Sequence, residues 1–288
     1  MEIGVSSYSF AGLLKNGGLD LFGAMDRAKE MGFDCFEFTE FGPPEGETYM
    51  GFASRLRLHA EKIGLRICNY AVSADFLYGK DGDGDARKET ERVKRQVDIT
   101  KELGAATMRH DAAWGYREKN SLNHEDAIKT IAPFIREVSE YANALGIRTM
   151  CENHGYFIQD SARMAALVRE VACENFGLLV DVGNFVCADE DPAAAVANVA
   201  RYAFHAHAKD FLHKPYESTD PGWGWFPTRS NNQIRGTVIG HGVVPVAQCV
   251  AILKKSGYDG VISVEFEGME ETFSAIRLGK DYLAKLLR

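Results

Sequence analysis

Along this chain, short runs of aliphatic, aromatic and β-branched residues alternate with longer stretches in which apolar residues return every three or four positions. A short apolar run bounded by turn residues predicts a buried strand, and the three-to-four spacing predicts a helix with one apolar face. Eight strand candidates follow in order: EIGVSSY (2–8), FDCFEF (33–38), LRICNYA (65–71), ATMRHDA (106–112), IRTMCEN (147–153), FGLLVDV (176–182), YAFHAHAKD (202–210) and GVISVEFE (260–267). Between them lie helical stretches such as Asp20 to Met31, Glu91 to Leu103, His124 to Leu145 and Ser161 to Val171. In EMGFDCF, KIGLRIC, ELGAATM, ALGIRTM and KSGYDGV a helical run meets Gly just before the next strand, the usual stop signal followed by a short turn. Strand and helix alternating eight times without a composition break predict one α/β domain over residues 1–288, a closed (β/α)8 barrel with a parallel sheet. No internal repeat is visible beyond that alternation.

The segment from Phe211 to Gly242 departs from the pattern, being too long for a routine connection and rich in Gly, Pro and aromatics. Long ordered loops are usually functional lids or contact surfaces, and Trp223, Trp225 and Phe226 are suited to stacking on a ligand ring, covering a site or packing on a partner subunit. Composition changes little else: 45% hydrophobic and 26% charged residues are ordinary for a compact globular protein. The net charge of −8 argues against a nucleic acid partner, since no general basic surface is available. MEIGVSSYSF lacks a basic, then apolar, leader pattern, and no run of about 18 apolar residues occurs, so a cytoplasmic location without a membrane span is expected. Cys35, Cys68, Cys151, Cys173, Cys187 and Cys249 are scattered, form no C-x-x-C pair and mostly sit in apolar runs; they are expected to be reduced and buried.

In a (β/α)8 barrel the chemistry collects at the C-terminal ends of the strands. The fifth candidate stops at Glu152 and the sixth at Asp181, while the seventh carries His207 and Asp210 and the eighth Glu265 and Glu267. These four strand ends are neighbours around half of the barrel mouth. One strand-end acid commonly caps a helix or pairs with a cation. Three converging with an imidazole repel one another unless a cation neutralises them. A divalent metal ion is therefore the expected cofactor; oxygen-rich ligation with one imidazole favours Mn²⁺ or Mg²⁺, with Zn²⁺, Co²⁺ and Fe²⁺ as alternatives. His205 and His207 share one face of their strand, as do Glu265 and Glu267.

GFDCFEF, CENHG, LLVDVGNF, HAHAKDF and YDGVISVEFEG, in this order, span almost the whole chain, which resembles the sugar isomerase and epimerase group with a xylose isomerase-like TIM barrel. The resemblance implies a metal, Mn²⁺ first among the candidates, held by Glu152, Asp181, His207 and Glu265, with Glu152 and Glu265 doubling as the acid/base pair. It also selects His207, which keeps the HxKD spacing, over His205, and Glu265 over Glu267. In the related ketose 3-epimerases and inositol-ketone enzymes the metal grips a carbonyl and a neighbouring hydroxyl; an adjacent C–H then becomes acidic, and two carboxylates on opposite faces can move its proton. Asn184 stands where many relatives carry His, and GHG places His241 where a further ligand, a proton carrier or a plain turn residue could stand. Tyr8, Asn69, His110, Asn184, Lys209, Asp210, Arg235 and His241 are the candidate substrate contacts. Glu37 and Asp111 also lie at strand ends, Glu37 with a structural hydrogen bond as its expected role.

These expectations describe a metal-dependent sugar isomerase or epimerase working by proton transfer through an enediolate on a ketose or related polyol ketone. A dehydratase acting on a keto-inositol-like compound would use the same ligands. A metal endonuclease built on the same barrel is a remote alternative, disfavoured by the acidic charge and by too few histidines at strand ends. A sugar-binding protein is disfavoured because the acid/base pair is intact. The expected partner is a small carbohydrate. Barrels of this group often pair through loops at the mouth, so the Trp-rich loop is a candidate homo-oligomer contact.

Overall fold

The computed structural model describes residues 1–82, 84–115, 123–216 and 221–288. Its eleven strands among these residues are β1 (Glu2–Ser6), β2 (Cys35–Thr39), β3 (Arg66–Val72), β4 (Thr107–His110), β5 (Arg148–Glu152), β6 (Phe176–Asp181), β7 (Ala203–Ala208), β8 (Asp210–Lys214), β9 (Phe226–Pro227), β10 (Gln233–Thr237) and β11 (Val261–Val264). The helices are α1 (Ala11–Lys15), α2 (Leu21–Glu30), α3 (Tyr49–Ile63), α4 (Ala86–Leu103), α5 (His124–Ala144), α6 (Ser161–Val171), α7 (Asn184–Cys187), α8 (Pro192–Val199), α9 (Val246–Lys255) and α10 (Thr272–Leu287). Strands β1 to β7 follow one another around a closed parallel barrel, and β11 lies between β7 and β1. All eight expected strands are present.

Local chemistry explains where the helices begin and end. Asp20, Thr48, Asp85, Asn123, Asp160 and Asp191 each accept a hydrogen bond from an amide in the first turn of the helix they precede, a cap worth about 1 kcal/mol. The five stop glycines, Gly32, Gly64, Gly104, Gly146 and Gly257, all have φ between 66° and 87°, the left-handed region that a side chain resists. Helix α4 begins at Ala86, five residues before the expected Glu91, because Asp85 caps it by accepting from the Lys88 amide at 3.0 Å.

Two expectations need correction near the seventh strand. The run 202–210 is not one strand: β7 ends at Ala208, and β8 starts at Asp210 in a separate antiparallel sheet of order β8-β10-β9. The segment 211–242 is thus largely a folded hairpin and not a bare loop, with Phe211 opposite Gly236 and His213 opposite Ile234; residues 217–220 of the expected loop lie outside the described residues. Asp210 forces the break. Its Oδ2 accepts from the Gly240 and Gly242 amides, both at 2.8 Å, and its Oδ1 from Phe211 at 2.9 Å and Val244 at 3.0 Å. The chain turns around this carboxylate, so Asp210, expected to touch substrate, is instead a structural knot. Asp210→Ala leaves these amides without partners and is expected to cost about 3–5 kcal/mol, read as a lowered urea midpoint. The motif GHG matters for its glycines: His241 is exposed, while a Cβ on Gly242 would collide with the Phe211 carbonyl and the Asp210 carboxylate.

Candidate metal centre and its cavity

A polar plug inside the barrel sets the orientation of the site. On β2, Phe36 and Phe38 pack edge to face at 4.9 Å, and alternation sends the intervening Glu37, fully buried, into the interior. There Glu37 meets His207 Nε2 at 2.9 and 3.0 Å and accepts from Asn69 Nδ2 at 2.9 Å. Asn69, expected to touch substrate, is thereby used up beneath the site, its Oδ1 accepting from Thr107. Burial acts against the charge on Glu37, but His207 outweighs it and holds the carboxyl below its usual range. His205 lies deeper, bonded through Nε2 to Ser263 at 2.9 Å, and burial brings its pKa down to about 4. Because Nε2 of His207 is bound to Glu37, its Nδ1 faces the strand ends.

One ligand atom from each of Glu152, Asp181, His207 and Glu265 lies within 4.8 Å of the others. His207 Nδ1 is 3.4 Å from Glu265 Oε1 and 3.8 Å from both Glu152 Oε1 and Asp181 Oδ2. Outer partners aim the carboxylates. Asp181 Oδ1 accepts the amides of Gly183 and Asn184 at 2.8 and 2.9 Å. Glu152 Oε1 accepts from Asn184 Nδ2 at 3.0 Å, its Oε2 is 2.7 Å from Arg109 Nε, and Glu265 Oε2 is 2.5 Å from Lys209 Nζ. Asp181 Oδ2 and His207 Nδ1 are buried without a well-aligned hydrogen bond, their nearest opposite charges being Lys209 Nζ and Glu265 Oε1, each at 3.4 Å. Buried polar atoms are costly when unpaired. Here two of them converge with two further carboxylates, and this donor set of three carboxylates and one imidazole fits a divalent cation.

Charge effects agree with that fit. Burial, reinforced by Glu265 and Glu152 and only partly offset by Lys209, pushes Asp181 up to about 6. On Glu152 burial is outweighed by Arg109 and then His207, bringing it to about 2; on Glu265 it is outweighed by Lys209 and His207, leaving the carboxyl well below its usual range. Bonding between an outer carboxylate and a ligand imidazole commonly strengthens metal affinity 10- to 100-fold. Glu37→Gln is accordingly expected to weaken divalent metal binding by about that factor, measurable by competition with a chromogenic chelator.

A cavity of about 460 Å³ opens over the cluster. Of the residues expected to contact substrate, Tyr8, Asn184 and Lys209 line it, as do Glu152, His207 and Glu265. His110 does not, and strand alternation explains why: Arg109 and Asp111 point to the mouth, while the His110 ring sits between Phe76 and Phe176 at 5.4 and 6.1 Å. Arg235 is also outside the wall, with its guanidinium over the Trp225 ring at 5.4 Å. Phe226 lines the cavity, whereas Trp223 is 85% exposed and lies apart from it.

The sequence did not single out Arg109, whose Nη2 is 2.7 Å from Asp111, nor His154, 3.1 Å from the same carboxylate. The one available signal was period two along ATMRHDA, which puts Arg109 and Asp111 on the same face.

Buried neutral His110 also gives a pH prediction. Burial lowers it to about 4, below the unfolded value near 6.5, so the unfolded chain takes up the proton first as pH falls. The associated stability is complete above pH 6.5 and is lost towards pH 4, up to about 3 kcal/mol. His110→Asn should show a smaller drop in urea midpoint between pH 7 and 4.5 than the parent protein.

Many solved structures share this architecture, among them the following three. The IOLI protein with a bound zinc atom is 16% identical with a TM-score of 0.76, covering 100% of this chain and 98% of its own. The probable 3-DHS dehydratase AsbF of Bacillus anthracis is 16% identical with a TM-score of 0.75, covering 99% of each chain. An L-ribulose 3-epimerase is 15% identical with a TM-score of 0.72, covering 99% of this chain and 94% of its own. At these identities the likeness is one of fold. Among the described residues no helix is long and apolar enough to cross a membrane. The family model for the xylose isomerase-like TIM barrel matches residues 25–286, and with that match over nearly its whole length the chain belongs to the xylose isomerase-like TIM barrel family.

Proposed function

We propose that this protein is a divalent-metal-dependent isomerase or epimerase that moves a proton on the carbon beside the carbonyl of a ketose or related polyol ketone. The observation that carries this reading is the convergence of Glu152, Asp181, His207 and Glu265, with Asp181 Oδ2 and His207 Nδ1 buried and without a well-aligned hydrogen bond. These four residues would hold a divalent cation, Mn²⁺ being best suited to the oxygen-rich donor set, which would supply Lewis acidity toward a carbonyl oxygen. Glu152 and Glu265 are the residues that take the proton from one face and return it to the other. Arg109 and Asn184 fix Glu152, and Lys209 fixes Glu265, so that neither carboxylate must reorganise during transfer. The Lys209 ammonium at the cavity wall also places positive charge near a developing oxyanion. The zinc-bound IOLI protein and the L-ribulose 3-epimerase of similar fold are in keeping with this chemistry.

The test is deuterium uptake from D₂O, followed by mass spectrometry with Mn²⁺-loaded and chelator-treated protein over a panel of ketoses, aldoses and inositol ketones. Uptake into one compound by the loaded protein alone supports the proposal, and the product mass separates isomerisation from loss of water. Uptake that is indifferent to metal removal contradicts it.

A further inference from the structure

We infer that the substrate is uncharged and carries a second ring: a keto sugar glycosidically linked to another sugar, rather than a sugar phosphate. This rests on the proton-transfer reading above and narrows it through the size, charge and surface of the cavity.

The volume is larger than one sugar needs. At about 30 Å³ per liquid water, 460 Å³ corresponds to roughly fifteen waters. Covalently bonded atoms pack at roughly half that volume each, so a six-carbon ketose of twelve heavy atoms leaves more than half of the space unfilled.

Among the described residues the wall offers an anion no uncommitted permanent cation. Five carboxylates line the cavity, but Glu40 is paired with Lys80 at 2.6 Å, and Glu152 and Glu265 belong to the donor set of the cation, so an anion would have to be received by the two permanent wall cations, Arg109 and Lys209. Both cations are already committed. Arg109 lies 2.7 Å from Asp111 and 2.7 Å from Glu152, and Lys209 lies 2.5 Å from Glu265, 3.4 Å from Asp181 and 3.5 Å from Glu267. A phosphate, bringing close to two negative charges, would have to displace one of these pairs.

The rest of the wall presents rings that are exposed yet fixed. Trp114 is 49% exposed, although His154 meets it edge-on at 5.4 Å and its ring lies across Gly155, where a Cβ would stand 3.4 Å away. Tyr156, 41% exposed, is held at φ 66° by Gln159 Oε1, which accepts from its amide at 2.6 Å, and by the Pro227 carbonyl, which accepts from its hydroxyl at 2.7 Å. Rigid aromatic faces offered to solvent beside a polar cluster suit the apolar face of a sugar ring.

The experiment measures binding of D-fructose, D-fructose 6-phosphate and the ketose disaccharides lactulose and turanose to Mn²⁺-loaded protein by saturation-transfer NMR titration, with deuterium uptake followed in parallel. Expected is a disaccharide affinity about tenfold above that of fructose, with the phosphate ester binding more weakly than fructose. That disaccharide advantage should vanish in Trp114→Ala and survive in Trp114→Phe. Equal affinity for one-ring and two-ring ketoses, tighter binding of the phosphate ester, or no binding by either disaccharide overturns the inference. Deuterium exchange into fructose without any two-ring preference would overturn it while sparing the proposed function. Two-ring preference with no exchange in any compound would support the inference and count against proton transfer.

Discussion

Glu152→Gln is expected to lower deuterium exchange into substrate by about 10²- to 10⁴-fold, the usual contribution of a positioned acid/base group. The carboxylate is gripped on both sides, by Asn184 Nδ2 at 3.0 Å and by Arg109 at 2.7 Å, so the amide keeps the shape while losing the ability to accept a proton. Arg109 retains Asp111 at 2.7 Å, which limits the damage to folding. Glu265→Gln should give a loss of similar size in turnover to product, because inversion needs a proton carrier on each face, while the remaining carboxylate can still exchange the proton on its own face. The discriminating measurement is the rate of exchange and of product formation at saturating Mn²⁺, with metal content determined on the same sample. A fall in rate with metal retained locates the defect in proton transfer; full activity in either variant would remove that residue from the pair.

The second large effect is on stability. Three carboxylates and an imidazole are crowded within 4.8 Å, and burial together with Glu265 and Glu152 pushes Asp181 up to about 6. A cation that binds the folded chain and not the unfolded one relieves this repulsion and stabilises by about 2.7 kcal/mol at a hundred times its dissociation constant. For a chain of this size that corresponds to a rise in Tm of roughly 5 °C. Chelator-treated protein should therefore melt about 5 °C below the Mn²⁺-loaded form, and His207→Ala, which removes the nitrogen ligand, should abolish the difference. Differential scanning fluorimetry reads both; a metal-dependent shift that persists in His207→Ala would place the binding elsewhere.

The barrel was legible because its signals are local and repeated: apolar runs of strand length, and Gly at the helix stops with positive φ at all five positions. The converging strand ends were visible because apolar runs stop on or just before Glu152, Asp181 and Glu265, whereas the preference for His207 over His205 and for Glu265 over Glu267 came from the family resemblance. The supports were harder to see. Arg109 sits inside an apolar run and looks like an outward-facing residue; only three-dimensional closure gives it Asp111 and Glu152. Glu37 was noticed without a partner, since His207 is 170 positions away along the chain. The strand break at Asp210 is hidden in the sequence because three of the four amides gathered by its carboxylate lie about thirty positions further on. His110 and His241 lie away from the cavity wall for a similar reason. A histidine advertises chemistry in a sequence, whereas alternation turned one into the hydrophobic layer and the other serves a turn whose glycines are the constrained residues.

The account stands on one cation at one place. The most direct test is anomalous diffraction from crystals soaked in Mn²⁺. The account predicts a single strong peak per chain bounded by Glu152, Asp181, His207 Nδ1 and Glu265, lost in Asp181→Asn. A peak at any other position, or none there at full Mn²⁺ saturation, would contradict it.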